Sequence, residues 1–203
     1  MKFRLAAGVA GIAAVLGGVA VGTQAQAANP SIAFNMVRSS AAVSAGCLTS
    51  ATATVRVVSH GVSETMTVSA AGLPANTNFD LFITQLPNAP FGVSWYQSDL
   101  ESNSSGNASV TVIGRFNVET FAVAPGVGAA PTPHPGKDAA SNPAFSPIHT
   151  FHVGFWFNSP ADAVTAGCPG TVTPFNGDHT AGIQAMSTRN FADTVGPLSF
   201  LTS

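Results

Sequence analysis

Histidine is the residue type in this chain with the clearest potential for metal binding or acid–base chemistry. His149 and His152 are three residues apart, and Asp178 and His179 lie in a predicted turn over residues 176–179. Imidazole and carboxylate groups are common ligands of zinc and related metals. On one β-strand His149 and His152 would point to opposite faces, so only one of them could join Asp178 and His179 at an ion. A metal site, or a metal-dependent activity, is therefore one alternative. The other is that these side chains are structural or solvated.

No sequence motif assigns a catalytic residue. The nucleophile elbow Gly-x-Ser-x-Gly is absent, since Gly92 and Ser94 are not followed by the second glycine. Asp99 and Glu101 are two residues apart in a polar segment that we interpret as a solvated turn. The sequence therefore favours a protein without catalytic activity and without a cofactor.

Four aromatic residues are candidates for contact with a ligand: Phe91, Trp95, Tyr96 and Trp156. Exposed aromatic rings on a β-sandwich can stack on sugar rings or anchor a protein partner. The alternative is that Trp156 covers a second layer and Trp95 closes one end of the fold, because large aromatic side chains are highly buried on average.

The first 27 residues have the features of a secretory signal peptide. Lys2 and Arg4 precede an apolar run over residues 5–21, and small residues before position 28 form a cleavage site. We therefore predict a signal peptide over residues 1–27 and a single secreted domain over residues 28–203. This domain is expected to be extracellular and to have no membrane anchor after cleavage.

Charge limits the classes of partner. After residue 27 the chain has five basic and nine acidic residues, a formal charge of −4. Binding to nucleic acid or to an anionic membrane needs clustered basic residues. We therefore expect the protein to bind neither. Charged residues make up 8% of the chain, against about 25% in an average domain. A polar, uncharged surface suits an extracellular β-protein, whose partner would be another extracellular protein or a polysaccharide.

The two cysteines are predicted to form a disulfide bond. Cys47 and Cys168 are the only cysteines of the chain. In an oxidising compartment an isolated pair most simply forms a bridge. A reactive thiol would need an activating neighbour, and the sequence places none beside either cysteine.

Apolar residues that alternate with polar ones predict antiparallel strands. The strand runs are residues 51–57, 62–70, 79–86, 110–118 and 149–158, with an edge strand at 32–37 and weaker strands at 180–187 and 198–201. Ser159, Pro160 and Asp162 predict one short helix that ends at Gly167. Residues 124–148 are rich in proline, which predicts a long Pro-rich loop.

Residues 66–85 resemble the corner of fibronectin type III-like and immunoglobulin-like sandwiches. Leu73, Pro74 and Thr77 occupy the places of the turn in that family, and Phe79 occupies that of the aromatic residue opening the next strand. The resemblance implies an immunoglobulin-like fold.

Two further blocks, residues 86–91 and 156–160, resemble segments of uncharacterised secreted bacterial β-sandwich proteins. This second resemblance implies no activity.

These expectations combine into one hypothesis. The chain is an all-β protein, an antiparallel immunoglobulin-like β-sandwich with one short helix and a long Pro-rich loop. Its function is that of a non-catalytic extracellular interaction module, whose binding surface is formed by the loops at 91–96 and 124–148. The first alternative is binding of a carbohydrate or an envelope polymer through Trp95, Tyr96 and Trp156. The second is a metal-dependent enzyme or metal-binding protein that uses the histidines.

Overall fold

The computed structural model describes residues 30–116, 149–175 and 179–201. The predicted signal peptide, the predicted Pro-rich loop and Asp178 lie outside these ranges. The described strands are β1 Ser31–Arg38, β2 Thr52–Ser59, β3 Glu64–Ala71, β4 Asn78–Thr84, β5 Ser94–Glu101, β6 Ala108–Gly114, β7 His152–Phe157 and β8 Gln184–Ser187. The described helices are α1 Ser40–Ser44, α2 Pro160–Thr165 and a 3-10 helix at Pro197–Phe200. None of them is long and apolar enough to cross a lipid bilayer.

The eight described strands form one antiparallel sheet in the order β5-β4-β7-β8-β1-β2-β3-β6. Its two edge strands, β5 and β6, follow each other in the chain and meet at a turn, where Ser102 pairs with Ala108. At the other end they diverge around a small cavity of about 140 Å³ that lies between Trp95 and Arg115. The sheet therefore nearly closes on itself.

The all-β class and the antiparallel pairing are confirmed. The immunoglobulin-like sandwich is not confirmed, because the described strands hydrogen-bond in one continuous, nearly closed sheet. The predicted edge strand at 32–37 is wrong in its position, since β1 lies between β2 and β8. The predicted strand at 198–201 is also wrong. A 3-10 helix forms there, with Pro197 in its first turn.

The two halves of the sheet differ in how their outer faces are covered. In β2 and β3, Val55 and Met66 are fully buried while their neighbours along each strand face outwards. In β4 and β7 both faces are buried: Phe79 and Phe155 point into the core, and Trp156 on the outer face is also fully buried. Chain segments outside the sheet must therefore cover the outer faces of β4 and β7. These segments form a second layer, and the candidate site lies between this layer and the sheet.

Both short α-helices begin at a serine that caps the free amide groups of the first turn. The Ser39 hydroxyl accepts a hydrogen bond from the Ala42 amide at 3.0 Å, and the Ser159 hydroxyl accepts one from the Asp162 amide at 3.1 Å. The cap at Ser159 confirms the predicted helix. Helix α1 was not predicted from the sequence.

Both helices also end in the same way, at a glycine followed by a cysteine. Gly46 and Gly167 have φ angles of 69° and 74°, a left-handed conformation that favours glycine at the end of a helix. Cys47 and Cys168 form the predicted disulfide, with their Cα atoms 5.5 Å apart. The bridge therefore fixes the ends of two helices that are 121 residues apart in the sequence.

Candidate functional site

A polar cleft of about 790 Å³ opens on the outer face of β4 and β5. The two strands form its floor, and segments after β7 and before β8 form its walls. The lining residues are Asp80, Phe82, Gly92, Ser94, Tyr96, Asp99, Asn158, Pro174, Phe175 and His179. Carboxylate, phenol, amide, hydroxyl and imidazole groups therefore meet aromatic rings in one concave site.

A β-bulge in β5 brings Tyr96 and Asp99 to the same face of the sheet. Leu81 pairs with Ser98, but the next residue of β4, Phe82, pairs with Tyr96, so Gln97 is an extra residue. In a regular strand Tyr96 and Asp99 would point to opposite faces. With the bulge, the Tyr96 hydroxyl donates a hydrogen bond to Asp99 Oδ1 at 2.7 Å.

Two carboxylates lie side by side in the cleft. Asp80 is directly opposite Asp99 in the β4–β5 register. Asp80 is only 2% exposed, whereas Asp99 faces solvent. Like charges directly opposite each other destabilise a sheet. Among the described residues no lysine or arginine lines the cleft, so the carboxylates give it a negative character.

The phenol of Tyr96 stays protonated over a wide pH range. Partial burial of the ring raises its pKa to about 12, and the hydrogen bond and negative charge of Asp99 add to this effect. The charge of Asp80 contributes in the same direction. At neutral pH Tyr96 is therefore uncharged and donates its one hydroxyl proton to Asp99, and half of the residue is exposed to solvent.

An aromatic cluster supports the cleft from below and from one side. The Phe82 ring centroid lies 4.7 Å from that of Phe175 and 5.7 Å from that of Tyr96. Trp156 packs at 4.9 Å from both Phe175 and Phe91. These contacts hold the rings in fixed positions, because closely packed side chains have few alternative rotamers. The cleft therefore has a rigid apolar wall next to its polar floor.

The predicted ligand-contacting aromatic residues occupy four different environments. Tyr96 lines the polar cleft. Trp156 is fully buried beneath the aromatic cluster, as expected if it covers a second layer. Phe91 lines a neighbouring apolar groove, and Trp95 lies beside the cavity between the diverging edges of β5 and β6. The prediction of a loop over residues 91–96 is wrong for residues 94–96, because they belong to β5, which begins at Ser94.

His152 is a structural histidine. It is 1% exposed. Its Nδ1 lies 3.0 Å from the Thr188 hydroxyl and its Nε2 lies 3.2 Å from the Asp193 carbonyl oxygen. A carbonyl oxygen only accepts, so Nε2 carries the proton and Nδ1 accepts from Thr188. Burial lowers the pKa of His152, because the charged imidazolium is poorly solvated there.

The structure brings only two of the predicted metal-binding residues of the described part of the chain to one place. His149 and His152 line one small cavity of about 240 Å³, whereas His179 lies in the polar cleft. The expectation that His149 and His152 point to opposite faces does not apply, because β7 begins only at His152. Within residues 30–116, 149–175 and 179–201, no three His, Cys, Asp or Glu side chains are arranged to hold a metal ion.

Sequence reasoning missed Asp80, Asn158 and Phe175. One signal for Asp80 was present: it is the single charged residue in the run NFDLFIT of a central strand, and its neighbours Phe79 and Leu81 are apolar. A buried charged residue is more informative than a buried apolar one, because its burial costs free energy. Asn158 and Phe175 lie beyond the ends of strands, and only the tertiary fold brings them to the cleft.

The polar cleft offers hydrogen-bond acceptors and donors beside ring faces, which is the composition of a site for a small polar ligand. Its fixed floor belongs to the sheet, and its walls belong to connecting segments, as in many binding proteins. The chain matches no protein-family model and no curated protein.

Proposed function

We propose that this protein is a non-catalytic extracellular binding module whose polar cleft takes a polyhydroxylated ligand, such as a glycan. The single observation that carries the proposal is the placement of Asp80 opposite Asp99, with Tyr96 bonded to Asp99. Ionised carboxylates only accept hydrogen bonds, so they match the hydroxyl donors of a sugar. The extracellular location rests on the predicted signal peptide and agrees with the disulfide bond.

The burial of Asp80 supports a binding role. This carboxylate is placed on a strand whose two faces are both covered, and it faces a second carboxylate across the sheet. Such a pair lowers the stability of the fold unless other groups compensate for it. Asp80 has interactions within the protein. Its place beside Asp99 in the lining of the cleft supports a binding role, because carboxylate oxygens accept hydrogen bonds from the hydroxyl groups of a ligand.

The aromatic wall supports a ring-shaped ligand. Tyr96 presents a half-exposed ring beside Phe82 and Phe175. The apolar face of a sugar ring can pack on such a surface while its hydroxyl groups reach the floor of the cleft. Asn158 and Ser94, which also line the cleft, supply further donors and acceptors.

The charge of the site narrows the class of glycan. The two carboxylates and the negative charge of the whole domain repel acidic polymers. Neutral and amino-bearing sugars are therefore the expected ligands. An ammonium group would gain additional attraction from Asp80 and Asp99.

The broader hypothesis of an interaction module that binds through loops at 91–96 and 124–148 remains a proposal. Gly92 of the first loop borders the cleft. The second loop lies outside the described residues. A glycan is favoured over a protein partner as the first ligand to test, because the cleft is concave rather than flat.

The test is a calorimetric titration of the mature protein with four soluble probes. These are oligosaccharides of glucose, N-acetylglucosamine, glucosamine and galacturonic acid. We expect binding of neutral or amino sugars and none of the galacturonate probe. Replacing Tyr96 by Ala should weaken binding about tenfold, since it removes a ring face and the hydroxyl group that holds Asp99.

The matched control is Trp95→Ala, which removes the neighbouring aromatic residue on the opposite face of β5. It should leave the affinity unchanged. Equal losses in Tyr96→Ala and Trp95→Ala, or no binding of any probe, would contradict the proposed site. Cleavage of a bound probe, detected by mass spectrometry, would contradict the non-catalytic role and would make Asp80 and Asp99 candidate catalytic carboxylates.

A further inference from the structure

A second concave surface, the apolar groove, lies beside the polar cleft. It has a volume of about 910 Å³ and runs between α1, the segment before β5 and the segment before β8. Most of the surface that it exposes is apolar, and Val172 on its wall is 53% exposed. Exposed apolar surface in a concave site is typical of ligand binding. The apolar lining includes Ala41, Pro90, Phe91, Val172, Phe175 and Ile183.

The polar residues that line the groove are compatible with an apolar ligand. The Ser40 hydroxyl donates a hydrogen bond to Asn88 Oδ1 at 2.8 Å, so these two side chains bind each other between α1 and the segment before β5. Thr171 and Thr173 each carry a methyl group beside the hydroxyl. Among the described residues no charged side chain lines the groove. A hydrocarbon chain can therefore lie there without removing a charge from water, which would cost much free energy.

The apolar groove and the polar cleft share one border. Gly92, Pro174 and Phe175 line both concave surfaces. The Phe175 ring centroid lies 4.7 Å from that of Phe82 in the cleft and 5.4 Å from that of Phe91 in the groove. The three aromatic rings therefore pack in a row that leads from one site to the other. One molecule with a polar part and an apolar part can contact both sites at once.

We propose that the ligand of the polar cleft is a glycolipid, a sugar linked to a hydrocarbon chain, and that the chain lies in the apolar groove. This inference rests on the proposed function and narrows its class of ligand. The hydroxyl groups of the sugar donate to the carboxylates of the cleft, and the chain buries the exposed apolar surface of the groove. A free sugar would leave the groove exposed to solvent, and a free hydrocarbon would make no use of the polar cleft.

The test uses the methyl and hexyl β-glycosides of glucose and of N-acetylglucosamine, with hexanol as the chain alone. Each probe is titrated into the ¹⁵N-labelled protein below its micellar concentration, and affinities are taken from NMR shifts. We expect a hexyl glycoside to bind at least about tenfold more tightly than the methyl glycoside of the same sugar, the effect of burying about two CH₂ groups. It should also bind more tightly than hexanol, because the chain alone makes no contact with the cleft.

Two matched variants test where the chain lies. Val172→Asp places a charge on the exposed wall of the groove, so it should remove the gain in affinity of the hexyl glycoside and leave the affinity of the methyl glycoside unchanged. An unchanged affinity for the methyl glycoside also shows that the variant is folded. Val164→Asp introduces the same charge on α2, at a valine that is 60% exposed and lines neither site. It should therefore retain the gain.

The outcomes separate this inference from the proposed function. Equal affinities for the hexyl and methyl glycosides would overturn the inference and leave the proposed function intact. A gain that persists in Val172→Asp would place the chain outside the groove, which also overturns the inference. Equal affinities for the hexyl glycoside and hexanol would contradict both, because the sugar would then contribute nothing. If no glycoside binds, the inference is overturned, and the oligosaccharide titration decides separately on the proposed function.

Discussion

Asp80 of β4 lies directly opposite Asp99 of β5, so two carboxylates share the floor of the polar cleft. The bulge at Gln97 makes this arrangement compatible with the hydrogen bond from Tyr96 to Asp99. The phenol of Tyr96 and the two carboxylates are thereby set on strands rather than on loops. Sites built on strands keep their geometry more precisely, which favours selective binding over adaptable contact.

The ionisation of Tyr96 is a direct probe of the cleft, because it is the only tyrosine of the chain. Its absorbance change near 295 nm should have a midpoint at about pH 12 in the folded protein, against about 10 for an unfolded chain. Asp99→Asn should lower this midpoint, since it removes a negative charge and a charged acceptor. Glu101→Gln, at an exposed position two residues further on, should leave the midpoint unchanged.

The same pKa shift makes stability depend on pH. Between pH 10 and 12 the unfolded chain loses the Tyr96 proton while the folded chain retains it, so the free energy of unfolding falls as pH rises. Urea unfolding at pH 10 and pH 12 measures this decrease. Equal absorbance midpoints for the wild type and Asp99→Asn would contradict the role given to Asp99 in the shift.

His152 is predicted to destabilise the protein in mild acid. Its pKa is lowered by burial, so below about pH 6.5 the unfolded state binds a proton more readily than the folded state. The free energy of unfolding should therefore fall as pH decreases from 7 to 5, by about 1.4 kcal/mol per unit of pKa difference. Thermal melts should show a smaller decrease for His152→Gln. A His152→Gln variant with the same pH dependence as the wild type would contradict this prediction.

Much of the fold follows from local sequence patterns. The alternation around Val55 and Met66 predicts the β2–β3 hairpin because one face of that hairpin is solvated. The cap at Ser159 and the glycine at Gly167 predict α2 because both signals act within one helix. Such patterns are local, so they can be read without knowledge of strand order.

The polar cleft could not be predicted in the same way. Strand β5 has a bulge at Gln97, which breaks the alternation that identifies a strand. Strand β8 has only four residues, so its pairing with β1 is not visible in the sequence. Asp80 and Asp99 become neighbours only through the β4–β5 register, and that register is a tertiary property.

Gly154 is predicted to be essential for packing of the outer layer. A Cβ atom at this position would lie 2.7 Å from Gln184 Nε2 and 2.8 Å from a ring carbon of Trp156. Gly154→Ala should therefore reduce the free energy of unfolding by about 1–3 kcal/mol, as overpacking does elsewhere. The control is Gly170→Ala, whose nearest contact is the exposed side chain of Val164; it should change stability by less than about 0.5 kcal/mol. Equal urea midpoints for the two variants would contradict this packing argument.

The disulfide is predicted to provide a large part of the stability of the fold. Cys47 and Cys168 are 121 residues apart, and closing a loop of that length restricts the unfolded chain by up to about 4–5 kcal/mol. The double variant Cys47→Ser, Cys168→Ser should therefore unfold at a much lower urea concentration than the oxidised protein. The reduced wild-type protein should unfold at the same concentration as the double variant, because both lack the covalent link. A double variant as stable as the oxidised protein would mean that α1 and α2 are held in place by packing alone.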